Sequence, residues 1–243
     1  MVEHQLDALF STDGDGDRPL LSDEQGEWLR GDVLGLLCSK ALKIDALAVP
    51  VSCNTAIEKC DFFKHVERTK IGSPYVIAGF EKLGKSFNLV AGFEANGGYL
   101  LASDILVNGK LLKALPTRDA ILPVISVLAE SESLINQVNK LPKRFTASDR
   151  LKDFPTLKSQ QLLLDIKTNP ISFLKGLGLT QEIVDLNQID GLRITFVDDV
   201  VVHFRPSGNA PELRCYVEAK AQNIALNLLE STLSSIKSVL CEN

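Results

Sequence analysis

Ala46-Leu47-Ala48-Val49-Pro50-Val51 is a short, unbroken apolar run, too brief for a helix. Such a run, bounded by polar residues, predicts a strand buried on both faces. Working outward, Trp28, Leu29, Val33, Leu36, Leu37 and Leu42 keep helical spacing and predict a helix over 23–43. After the strand, Asn54 is placed to cap a short helix over 55–60. Phe62 to Val66 reads as a strand, Tyr75 to Leu83 as a helix and Asn88 to Phe93 as a strand ending at a glycine-rich exit. Thr117 is expected to cap an apolar helix reaching about Ala129. This alternation points to a layered α/β domain with a parallel sheet.

The texture changes near Lys140-Leu141-Pro142-Lys143-Arg144, which reads as a linker. Beyond it, strands are expected at Ile183–Leu186, Leu192–Val197, Val200–Phe204 and Leu213–Val217, with Asp198-Asp199 as a hairpin turn. An amphipathic helix closes the chain, with Ile224, Leu228, Leu229, Leu233, Ile236 and Leu240 on its apolar side. This half reads as a separate α+β domain.

The 243 residues suffice for one large domain or two ordinary ones. Net charge is -5 with no Lys/Arg block, which argues against a nucleic-acid partner. No apolar run approaches the ~20 residues of a membrane span, and the acidic N-terminus lacks the basic region of a signal peptide. Five cysteines (Cys38, Cys53, Cys60, Cys215, Cys241) without a Cys-x-x-Cys pair fit reduced thiols in the cytoplasm.

Three stretches carry chemistry. Asp13-Gly14-Asp15-Gly16-Asp17-Arg18 alternates carboxylates with glycines, an arrangement suited to a hard divalent cation. Magnesium fits better than calcium, because the few carboxylates leave room for a phosphate oxygen and water. Arg18 beside the metal suits a phosphoryl oxygen. The competing reading is a calcium hand with Glu24 at its twelfth position, but Arg18 and Pro19 stand where a glycine-led turn is needed. Arg205-Pro206-Ser207-Gly208-Asn209-Ala210-Pro211-Glu212-Leu213-Arg214 places small residues and hydroxyl or amide donors between two arginines. That composition suits a phosphate. Gly92-Phe93-Glu94-Ala95-Asn96-Gly97-Gly98 puts a carboxylate and an amide just past a strand end, where open α/β sheets bind ligands.

Together these loops resemble the α-D-phosphohexomutases, the family of phosphomannomutases, phosphoglucomutases and phosphoglucosamine mutases. The family's metal loop is matched at all six positions by 13–18. Its sugar loop is similar to 93–98: Glu94 and Gly97 match, Asn96 stands in for serine, and Gly98 stands where histidine is common. Its phosphate loop looks like 205–214, with Asn209 replacing threonine, and Arg68-Thr69-Lys70-Ile71-Gly72 resembles the stretch before the sugar loop.

The resemblance implies interconversion of hexose 6-phosphate and hexose 1-phosphate, mannose preferred, through a phosphoserine and a bisphosphate intermediate. It implies Mg2+ on Asp13, Asp15 and Asp17, Arg18 and Lys70 as catalytic residues, and hexose 1,6-bisphosphate as activator. Glu94, Asn96, Arg205, Ser207, Gly208, Asn209 and Arg214 would bind substrate. Mapped on the family, residues 1–20 would be the tail of domain 2, poorly ordered or loosely docked. Residues 21–140 would be the Rossmann-like three-layer α/β/α domain 3, and 141–243 the smaller, TATA-binding-protein-like domain 4. The phosphoserine loop is absent from the sequence. Thr146-Ala147-Ser148 begins like it, but Ser148 reads as a helix N-cap. The chain is therefore expected to be an inactive portion of a mutase whose partners include its missing N-terminal domains. The alternatives are a free-standing phosphosugar-binding module, or the same portion of a phosphoglucomutase or phosphoglucosamine mutase.

Overall fold

The computed structural model describes residues 2–241, with side chains described for 3–238. The chain forms two compact units, residues 1–142 and 143–243. In the first, β1 (Leu9–Thr12) and β2 (Pro19–Ser22) form an antiparallel hairpin. There follow α1 (Gly31–Ala41), β3 (Ala46–Pro50), α2 (Ala56–Lys59), β4 (His65–Thr69), α3 (Ser73–Leu83) and β5 (Val90–Phe93). Then come β6 (Tyr99–Leu101), the small hairpin of β7 (Ile105–Val107) and β8 (Lys110–Leu112), β9 (Leu115–Asp119), α4 (Ile121–Leu128) and α5 (Leu134–Asn139).

The main sheet has the order β4-β3-β5-β6-β9. The central run 46–50 is buried at every position, as a two-faced strand requires. Helices α1 and α4 pack together on one side and α3 covers the other, giving three layers. Only β4, β3 and β5 are parallel; β6 and β9 run antiparallel. The parallel pattern stops at the β5–β6 connection. Residues 94–98 are too few for a crossover, which takes a dozen or more, so the chain must turn straight back.

Two helix starts differ from the expectation. α1 begins at Gly31, not 23, because Asp23 accepts the N–H groups of Gln25 and Glu27 and folds 23–27 into a turn. α4 is capped by Asp119, whose Oδ1 accepts from Ile121 at 2.7 Å and Leu122 at 3.2 Å. Thr117 lies in β9 instead. Asn54 does accept from Ala56 N at 2.7 Å, at the start of α2.

The opening hairpin is not loosely docked on this unit. Leu21 is fully buried in the main core, and Pro19 sits against Gly97. On its other side Leu9 and Leu20 are 42% and 48% exposed, while Phe10, paired with Leu21 on the inner side, is 39% exposed.

The second unit contains β10 (Phe145–Leu151), α6 (Thr156–Thr168), α7 (Pro170–Gly176), β11 (Ile183–Asn187), β12 (Leu192–Phe196), β13 (Val201–Pro206), β14 (Leu213–Ala219) and α8 (Gln222–Cys241). Its sheet is antiparallel, ordered β10-β14-β13-β12-β11, and α6 and α8 lie against it. Residues 198–199 make the expected tight turn, with Asp199 at φ +65°. Ser148 is not a helix cap. It lies mid-strand in β10, because Ala147 buries opposite Val217 and the whole run 145–151 pairs with β14. Helices α6 and α7 occupy a stretch to which the sequence reading assigned no element. In α8, Ala225, Leu229, Leu233 and Ile236 face the core, whereas Ile224 lies at the exposed margin. Leu240 and Cys241 fall outside the residues whose side chains are described.

Candidate functional site

The loop 13–18 is the tip of the β1–β2 hairpin, and the hairpin fixes its ends. Asp13 N–H donates to Arg18 O and Gly16 N–H to Asp13 O, both at 3.1 Å. Gly16, at φ +76°, supplies the left-handed step the tip needs. Asp13 Oδ1 accepts the backbone N–H groups of Asp17 and Arg18 at 3.3 Å. Its Oδ2 lies 2.6 Å from Arg18 Nε, and Asp17 Oδ1 lies 3.4 Å from the same nitrogen. A guanidinium therefore stands between two of the three acids, while Asp15 is exposed. Among the described residues, no three His, Cys, Asp or Glu side chains gather into a metal-holding group. Glu24 is spent elsewhere: its carboxylate accepts the N–H groups of Leu134 at 2.7 Å and Ile135 at 3.2 Å, at the start of α5. That removes the twelfth ligand of a calcium hand.

The loop 94–98 closes on itself. Gly97 N–H donates to Glu94 O at 2.9 Å, and Gly98 N–H to Asn96 Oδ1 at 3.0 Å. Gly97 has φ +92°, and Gly31 at the start of α1 presses on it. A Cβ at Gly31 would fall 2.1 Å from Gly97 N, so only glycine allows this contact. Glu94 is buried and Asn96 exposed. Burial pushes the Glu94 carboxyl above the ordinary range, while the charge of Arg118, a hydrogen bond from Asn96 and the charge of Arg18 oppose that rise.

Arg118 is the residue the sequence reading missed. Its Nη2 lies 2.7 Å from Asp17 Oδ2 and its Nη1 4.0 Å from Glu94 Oε2. It thus ties the hairpin tip to the loop after β5. Its stem fills the space beside Gly98, where a Cβ would fall 2.9 Å from Arg118 Cδ. The one sequence signal was Gly98 itself, standing where a bulkier histidine is common in the resembling family.

Lys70 follows the C-terminal end of β4 as Glu94 follows that of β5. Because β4, β3 and β5 are parallel, both sit at the same edge of the sheet, two strand spacings or roughly 10 Å apart across the ladder. The Lys70 ammonium lies 5.7 Å from the Tyr75 ring centre. Arg68 plays a structural part. It bonds Glu58 and the carbonyls of Pro50 and Cys53, holding the turn after β3. The buried thiols are poor nucleophiles, with Cys38 pushed up to about 12 by burial.

In the second unit, Arg205 is the last residue but one of β13 and Arg214 the second of β14, in direct register. Between them Ser207 is buried and Gly208 is exposed, with open space where a Cβ would lie. Ser207 N–H donates to Glu212 O at 2.9 Å, and Asn209 N–H reaches Ser207 Oγ at 3.4 Å. Arg205 Nε is held by Asp190 Oδ1 at 2.9 Å, leaving the outer edge of its fork for a ligand. Arg214 has no partner among the described residues. The loop therefore joins two guanidinium groups to small residues whose backbone a phosphoryl group can approach.

The chain belongs to the phosphoglucomutase/phosphomannomutase family. Residues 30–145 match its alpha/beta/alpha domain III and residues 134–233 its C-terminal domain. It is 56% identical over 241 residues to a phosphomannomutase of Salmonella muenchen, covering 98% of this chain and 50% of that protein. A phosphomannomutase of Sinorhizobium fredii is 40% identical, with 97% and 51% covered. The chain thus spans about half the length of the curated relatives it matches. Among solved structures, a putative phosphomannomutase from Thermus thermophilus superposes with TM-score 0.65 at 20% identity, over 94% of this chain and 45% of that one. An Aspergillus fumigatus N-acetylphosphoglucosamine mutase, solved with GlcNAc-6P and magnesium, gives 0.62 at 17%, over 96% and 49%. No helix among the described residues is long and apolar enough to cross a membrane.

Proposed function

We propose that this chain is the sugar-reading and phosphate-anchoring part of a cytoplasmic phosphomannomutase. The single observation that carries this reading is the meeting of Asp17, Arg118 and Glu94, which joins the aspartate loop to the carboxylate loop. Such a joint is useful where a phosphoryl group and a sugar must be handled side by side. Glu94 and Asn96 receive sugar hydroxyls. Arg205, Ser207, Gly208, Asn209 and Arg214 grip the substrate phosphate, and Lys70 supplies a positive charge at the sheet edge. The 56% identity to a phosphomannomutase favours mannose as the hexose.

Asp13, Asp15 and Asp17 would hold Mg2+. The donor set is right for a hard cation, and Arg18 already shows that a positive charge fits between Asp13 and Asp17. When bound, the ion would polarise a phosphoryl group. The guanidinium of Arg18, freed from Asp13, would turn to a phosphoryl oxygen. The phosphoserine loop and the phosphoryl transfer belong to sequence this chain does not contain. The outer side of the hairpin, at Leu9 and Leu20, suits contact with those further domains.

The test is an assay of the purified chain with mannose 1-phosphate, a hexose 1,6-bisphosphate and magnesium. Sugar-phosphate binding without turnover is expected. Turnover at ordinary rates, or no binding at millimolar ligand, would overturn the reading. Replacing Arg205 with alanine is expected to weaken mannose 1-phosphate binding by about 1.5–3 kcal/mol, the usual worth of a charge-assisted hydrogen bond. Calorimetry reads this directly, and unchanged affinity places the anchor elsewhere. Arg118→Ala removes the largest influence opposing the rise at Glu94, so the carboxyl should titrate at higher pH than in the parent. Carboxyl-carbon NMR of Glu94 would show it, and a downward or absent shift would contradict the assigned pairing.

A further inference from the structure

We propose that a recess on the face of the second unit's sheet opposite its core, lined by Ser148, Asp149, Arg150, Arg214 and Tyr216, is a second anion subsite that takes a phosphoryl group. The inference rests on reading the 205–214 loop as a phosphate anchor, and it adds a site beside that loop.

Strand register creates the site. Arg150 pairs with Arg214 across β10 and β14, and Arg214 pairs with Arg205 across β14 and β13. Directly paired residues point to the same side of a sheet, so three arginines form one row. The other side is the core, where Leu213, Cys215 and Val217 are buried. Like charges directly opposite one another are unfavourable in a sheet unless something neutralises them. Only Arg205 has a close acid, Asp190. Arg150 has a single loose contact, Nε to Glu212 Oε1 at 3.4 Å, and its side chain is 46% exposed. Arg214, in the middle, has none among the described residues.

The next row supplies hydroxyls. Ser148 pairs with Tyr216. The Tyr216 ring is stacked on His203 at 5.3 Å between centroids, which steadies the phenol. Neither Ser148 Oγ nor Tyr216 Oη has a hydrogen-bond partner among the described residues. The recess between these four side chains has a volume of about 250 Å³, ample for a phosphoryl group with some of its water. Asp149 also lines the recess, and its Oδ1 accepts its neighbour's backbone N–H, that of Arg150, at 2.8 Å. The recess therefore presents two guanidinium groups and two hydroxyl donors against one carboxylate, a balance that suits a tetrahedral oxyanion. Arg214 is shared with the 205–214 loop, so the two sites adjoin.

The experiment is an NMR titration of the full chain with inorganic phosphate, and in parallel with mannose 1-phosphate. Two sets of backbone amides are followed: 148–150 with 215–216 for the recess, and 207–210 for the loop. Both sets should respond, with separate midpoints. Arg150→Ala should weaken binding at the recess about tenfold or more and leave the loop midpoint within about twofold, and Arg150→Lys should restore part of the loss. Response to both ligands identifies the phosphoryl group alone as the determinant; response to mannose 1-phosphate only shows that the sugar takes part. A silent recess overturns the inference, as does an Arg150→Ala variant that moves both sets equally or neither. A silent loop with a responsive recess overturns the anchor reading and leaves this one standing. Arg150 is exposed, so its variants should fold; an unchanged spectrum away from the recess verifies it.

Discussion

Asp32→Ala should cost the first unit about 3 kcal/mol of stability. The Asp32 side chain is fully buried in the first turn of α1. Its Oδ1 accepts from Arg30 Nε at 3.1 Å, and its Oδ2 accepts from Arg30 Nη2 at 3.2 Å and from the backbone N–H of buried Asn54 at 2.8 Å. Alanine would orphan that N–H and remove the carboxylate that Arg30 grips. The damage would reach the site, because Gly31 between these two residues braces the loop at Gly97. Urea denaturation followed by the single tryptophan, Trp28, reports on this unit. Asp32→Asn, which keeps an acceptor for Asn54, should lose less. A midpoint change worth under about 1 kcal/mol would show that the pair is dispensable.

Acid should destabilise the second unit through His203. The ring is 1% exposed and lies 2.6 Å, through Nε2, from the carbonyl of Asp190. A carbonyl only accepts, so Nε2 carries the proton and Nδ1 is a buried lone pair without a hydrogen-bond partner. Burial lowers the pKa to about 4 from an ordinary 6.5. The bond to Asp190 opposes this, and the charges of Arg193 and Arg205 add to it. With the folded value below the unfolded one, the unfolded chain takes up the proton first. The contribution is therefore complete above about pH 6.5 and falls away as pH drops toward 4, a loss of about 3 kcal/mol. Amide exchange at Val202 and Cys215, in the ladder around His203, measures it. His203→Gln should flatten the dependence between pH 7 and 4. An equally steep profile in that variant would assign the acid sensitivity to carboxylates.

Much of the candidate site was legible because its pieces are contiguous. The aspartate-glycine run, the carboxylate-amide loop and the arginine-flanked loop each lie within ten residues, and each carries its chemistry in residue type and spacing. The central strand was legible for a similar reason, since 46–50 must be buried on both faces to be worth its apolar content. The boundaries were less so. Asp119 rather than Thr117 caps α4 because β9 recruits Thr117 into the sheet, and Asp23 delays α1 by folding its own turn. Ser148 has a cap's residue type, but pairing with β14 holds it in a strand. Long-range pairing outbids a local preference worth about 1 kcal/mol.

By itself the sequence determined which chemistries the chain can offer: carboxylates on a glycine-rich turn, a carboxylate and an amide at a strand exit, and guanidinium groups around small residues. These follow from side-chain chemistry and from the dihedral freedom of glycine, both local properties. Only the tertiary structure decided which of these groups meet. Arg118 reaches Asp17 across 101 residues of chain, and Glu24 is drawn away to α5. Arg150 comes beside Arg214 by strand register. The physical reason is that a side chain's charge and length are written at its own position, whereas its neighbours are chosen by the burial of apolar surface elsewhere, at Leu21, Val49, Phe93 and Val217.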